Sequence, residues 1–101
     1  MKKFTFKKEK AETGLASVAN PYPDTQIKLN GKQIGVISAP SRFGHDGWRV
    51  RLIVRSDTAP GGWKWASLKL VRDTEPEIRE LLQQNAALIQ EKFDLFPVDE
   101  F

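Results

Sequence analysis

Two segments of this chain carry the side chains best suited to bind a ligand, and both alternate. In Trp48 to Arg55, Trp48, Val50, Leu52 and Val54 fall on one side of an extended chain, and Arg49, Arg51, Ile53 and Arg55 on the other. In Trp63 to Arg72, turning Ala66, Leu68 and Leu70 inward leaves Trp63, Trp65, Ser67 and Lys69 facing outward. Guanidinium and ammonium groups follow phosphates, while indole faces accept stacked bases at about 1–3 kcal/mol each. Side by side on a flat sheet, these rows make a platform for single-stranded nucleic acid. The candidate binding residues are Lys28, Arg49, Arg51, Arg55, Trp63, Trp65 and Lys69. Two blander arrangements compete with it. A row of arginines is also a common solvated strand face, and a bulge near Ala66-Ser67 would turn both tryptophans into the core. Ile53, set among the arginines, extends an apolar patch and favours a contact there over bare solvent.

Other chemistry has little to work with. The one histidine, His45, lies beside Asp46 in a glycine-flanked loop, and neighbours in sequence point apart. General acid–base catalysis needs convergent groups, so the chain reads as non-enzymatic. One histidine with scattered carboxylates makes no zinc site, and there is no calcium-loop pattern. Pro60-Gly61-Gly62 lacks the lysine and hydroxyl residue of a phosphate loop. No cysteine is present, which rules out disulfides and thiol nucleophiles and fits a reducing compartment. No cofactor and no metal are implied.

The elements that must hold the two rows can be traced along the chain. Residues 2–8 read as an edge strand with Phe4 and Phe6 on one face and Lys3, Thr5 and Lys7 on the other. Residues 13–24 form a long loop, either a crossover or a binding loop. Asn30-Gly31 between two apolar-alternating runs predicts a type I′ hairpin. Its register sets Leu29 against Lys32, Lys28 against Gln33 and Ile27 against Ile34, with Ile27, Leu29, Ile34 and Val36 on one face. A second loop covers 39–47 and a turn covers 57–62. Thr74 with Glu77 predicts a capping box, and Pro76 suits the first turn. Ile78, Leu81, Leu82, Leu88, Ile89 and Phe93 then give one helix over 74–93, with Asn85 the single polar interruption. In the tail, 94–101, Leu95 and Phe96 fold back on the core or the segment docks into a partner. The fold class is α+β: a four- or five-stranded antiparallel meander, 25–72 with the edge strand, and one C-terminal helix packed on one face.

Charge divides along the same line. Residues 1–72 hold fourteen Lys and Arg against five Asp and Glu, whereas residues 73–101 hold two against eight. A basic sheet backed by an acidic helix suits a polyanion or an acidic protein surface as partner. At 101 residues the chain has the length of one domain. No apolar run reaches membrane-spanning length, so the expectation is a cytoplasmic protein without membrane contact.

The element order over residues 25–93 resembles the single-stranded-DNA-binding domain of transcriptional coactivators and other small sheet-plus-helix nucleic-acid modules. The resemblance rests on order without a shared motif, and no residue takes a role from it. Two functions follow as expectations. The first is a nucleic-acid-binding module. The second is a small protein-binding module or inhibitor, of the kind phages and mobile elements direct at host machinery. Self-association is expected to stop at a monomer or a weak two-fold dimer through the edge of strand 63–72.

Overall fold

Asn30 and Gly31 both take positive φ, 55° and 80°, as a type I′ turn requires. They join β2 (Thr25–Leu29) to β3 (Lys32–Ser38), in a computed structural model that describes residues 3–10, 13–14, 22–41 and 46–99. With β1 (Thr5–Lys8), β4 (Trp48–Arg55) and β5 (Trp63–Arg72) they form one open antiparallel sheet in chain order, β1-β2-β3-β4-β5. Two C-terminal helices follow, α1 (Glu75–Gln84) and α2 (Ala86–Lys92), completing an α+β meander. Most of the 13–24 loop, the centre of the 39–47 loop with His45, and the ends of the chain lie outside the described residues.

The hairpin register holds for two pairs and then changes. Leu29 faces Lys32 and Lys28 faces Gln33, but Ile27 faces Gly35. The predicted Ile27–Ile34 pair is therefore wrong by one residue, because β3 carries an extra residue there. Ile34 keeps its place in the core, and beyond the bulge Ile37 takes the inward place assigned to Val36. Val36 turns to the other face, opposite Gln26 and Arg51. Gly35 makes the bulge possible: a Cβ there would stand 2.6 Å from the Arg51 carbonyl oxygen and 3.0 Å from Leu52 Cδ2.

Ile27, Ile34, Ile37, Val50 and Leu52 meet Ile78, Leu82, Ala86 and Ile89 of the helices. Phe4 and Phe6 share this face, with Phe4 fully buried. The Gln83 side-chain amide donates to the Phe4 carbonyl at 2.6 Å, tying the start of the chain to α1.

The predicted single helix is broken at Asn85 (φ −109°, ψ 15°). Its Nδ2 donates to the Leu81 carbonyl at 2.8 Å, a local side-chain bond that competes with helix continuation. The capping box is not formed either, since the Thr74 side chain caps nothing. Instead the first turn is held by Glu75, whose buried carboxylate accepts from Thr25 Oγ1 at 3.1 Å. It pairs also with Lys8 at 3.5 Å and with Arg79. Glu75→Ala is expected to lower stability by about 1–3 kcal/mol, because it strips a buried hydroxyl of its acceptor. Lys8→Ala should cost under about 0.5 kcal/mol, its ammonium being largely exposed. Urea unfolding of the two variants separates a buried anchor from a surface charge pair; equal losses would remove the distinction.

After α2 the tail enters the sheet. Beyond Leu52, β3 and β4 no longer pair, and residues 94–98 run between them. Arg55 N–H donates to the Asp94 carbonyl at 2.8 Å, and Phe96 N–H to Ile53 at 2.9 Å. On the other side Val98 exchanges two bonds with Gln33, at 2.8 and 2.9 Å. Leu95 packs against the core, as the sequence predicts, but Phe96 lies under the Arg55 guanidinium instead.

Candidate nucleic-acid interface

The sheet face away from the helices is set by how β4 pairs with β5. Arg55 faces Trp63, Ile53 faces Trp65 and Arg51 faces Ser67; the next pair is Arg49 with Val71. Val50 alone therefore spans Leu68, Lys69 and Leu70. The extra length in β5 is two residues, so the alternation of side chains is preserved across it. Trp63 and Trp65 stay on the arginine side, and Leu68 and Leu70 stay packed on the core.

The same irregularity opens a groove of about 610 Å³ between β3, β4 and β5. Val71, opposite Arg49 and 45 % exposed, contributes apolar surface to it. Arg49, Arg51 and Lys69 bring charge, and Ser38 and Ser67 bring hydroxyls. Among the described residues no carboxylate lines it. All three cations are exposed, and Arg49 Nε donates to the Asp46 carbonyl at 3.5 Å. Next to the groove the Arg51 guanidinium lies 4.8 Å from the centre of the Trp65 ring. Trp63 meets Trp65 edge-on, with ring centres 5.7 Å apart at 88°. Trp65 is 36 % exposed and Trp63 is half-buried, so the aromatic surface is neither a bare platform nor core.

The predicted site residues thus separate into groups. Arg49, Arg51 and Lys69 share the groove, and Trp65 adjoins it through Arg51 and Trp63. Arg55 lies at the far end of β4, 3.4 Å from the Asp94 carboxylate and 4.9 Å from the centre of the Phe96 ring. Lys28 sits on β2 opposite Thr5 and Gln33, and does not line the groove. Ile53 forms no exposed apolar patch: it is fully buried, covered on the arginine face by the protein itself. Sequence reasoning missed Ser38 and Ser67 as groove residues. Their neighbours depend on the β4–β5 slip, for which the alternation in β5 carries no signal.

A second hollow, about 620 Å³, lies where β1 and β4 meet the start of α1, with Tyr22 and Trp48 in its wall at 6.0 Å between ring centres. Its Lys8, Glu75 and Arg79 are already engaged with one another, so the basic groove is the stronger candidate. Among the described residues no cluster of His, Cys, Asp or Glu could hold a metal ion, and no helix is long and apolar enough to cross a membrane. The chain matches no family model, no curated protein and no solved structure.

Proposed function

We propose that this protein is a non-enzymatic nucleic-acid-binding module that prefers single strands and acts in the cytoplasm. The observation that carries the proposal is the groove with Arg49, Arg51 and Lys69, free of carboxylates among the described residues, beside the Arg51–Trp65 stack. The cations meet phosphates, and the partly open indole and its guanidinium meet unpaired bases, whose faces a duplex keeps hidden. Arg55, Trp63 and Lys28 lie outside the groove; Arg55 and Lys28 add positive charge to the face on which a strand would be drawn in, and Trp63 adds an indole beside Trp65.

Titrating tryptophan fluorescence with a deoxythymidine oligonucleotide at low and at physiological salt tests the proposal. Quenching that weakens as salt rises is expected. Arg51→Ala should lower the slope of log K against log salt by about one unit. Trp65→Ala should weaken binding by about 1–3 kcal/mol and leave the slope nearly unchanged. No quenching at low salt rejects the proposal.

The same cations would also suit an acidic protein surface, which is the inhibitor reading, with a phage or mobile element as its source. What favours it is the exposed edge of β5 beside an apolar groove. A partner retained from host lysate after nuclease treatment, without oligonucleotide binding, would decide for it.

A further inference from the structure

We propose a second binding site along the outer edge of β5, from Ala66 to Val71. We assign it to an extended segment of a partner protein that alternates acidic and apolar side chains. β5 is the last strand of an open sheet, ten residues long, and the helices lie beside it on one face only. Between them runs a groove of about 280 Å³ with Leu68, Leu70, Leu81 and Leu88 in its lining and Lys69 and Lys92 among its charges. Leu88 is 49 % exposed and Val71 45 %, so apolar surface remains open at this edge.

Strand geometry determines what fits. A strand added to β5 would send alternate side chains to opposite faces of the sheet. Those on the helix side enter the groove beside Leu81 and Leu88, where apolar groups are favoured. Those on the other side meet Ser67 and Lys69, near Arg51, where carboxylates are favoured. Lys64, Lys69 and Arg72 are the only charged residues of β5. These cations also argue against a second copy as occupant, because antiparallel self-pairing would bring both sets of cations to one seam. The apolar groove beside Leu81 and Leu88 distinguishes this site from the basic face, with which it shares Lys69.

The probe is a labelled eight-residue peptide alternating glutamate and valine, compared by fluorescence anisotropy with a lysine–valine peptide. The full chain should bind the glutamate peptide at least about tenfold more tightly, a difference of roughly 1.4 kcal/mol. Leu88→Gln and Lys69→Gln should each weaken it several-fold, while Leu88→Gln leaves oligonucleotide quenching unchanged. Circular dichroism verifies that both variants fold. Equal binding of the two peptides, or insensitivity to both substitutions, overturns the proposal. So does concentration-dependent self-association that Leu88→Gln abolishes, which would make a second copy the occupant. Failure of oligonucleotide binding with the peptide result intact would remove the proposed function and leave this site standing.

Discussion

Gly35→Ala is expected to lower stability by about 3 kcal/mol, from overpacking at 1–3 kcal/mol and weakened ladder bonds near 1 kcal/mol each. The new methyl would sit 2.6 Å from the Arg51 carbonyl oxygen, and backbone in the middle of a sheet cannot swing aside as a side chain can. β3 and β4 must therefore separate where Gly35 pairs with Leu52, at the bulge that places Ile34 and Ile37 in the core. Against a typical total of about 5–15 kcal/mol, that is a large share. Gly31→Ala is the control. It meets nothing within 4 Å but keeps φ at +80°, so its loss comes from conformation alone, about 1–2 kcal/mol. Urea midpoints at equal m-values make the comparison. A Gly35→Ala loss no larger than that of Gly31→Ala would show that the strands yield easily at the bulge.

Leu95→Asp should destabilise by about 2–4 kcal/mol, combining lost apolar burial with a carboxylate placed against the core. Leu95 lies opposite Val54, and its side chain packs on the helix side of the sheet. Asp94→Asn, one residue away, tests the surface pair with Arg55. Both of those side chains are more than half exposed, and the expected change is under about 0.5 kcal/mol. Thermal or urea unfolding that ranks the two alike would mean the tail is held by its backbone bonds and not by its apolar contact.

What could be read in the sequence was local. Asn30-Gly31 specifies its turn through φ alone, and the alternation of Trp48 to Arg55 survives intact in β4. The β3 bulge was hidden because Ile34, Val36 and Ile37 are all apolar, so either phase leaves a plausible inward set. The slip in β5 was hidden for the opposite reason: two extra residues restore the phase, so the alternation reads the same on both sides of it and gives no sign of the groove beside Trp65. The burial of Glu75 against Thr25 joins positions far apart in the chain, which no local pattern signals. The break at Asn85 was visible as a polar interruption, but not its strength, which comes from the amide bond to Leu81.

The place of residues 94–98 bears on how the molecule reaches its native state. Val98 lies at the end of the described chain and Gln33 in its first half, yet they exchange both of their backbone bonds. Contacts of such high sequence separation form late, because a long loop must close before they are rewarded. Until then β3 and β4 stand apart at one end and offer two unpaired strand edges in the interior of the sheet, beside the fully buried Ile53. Such edges are templates for pairing with other chains. The aggregation-prone species in refolding should therefore be a nearly complete sheet with its last segment undocked.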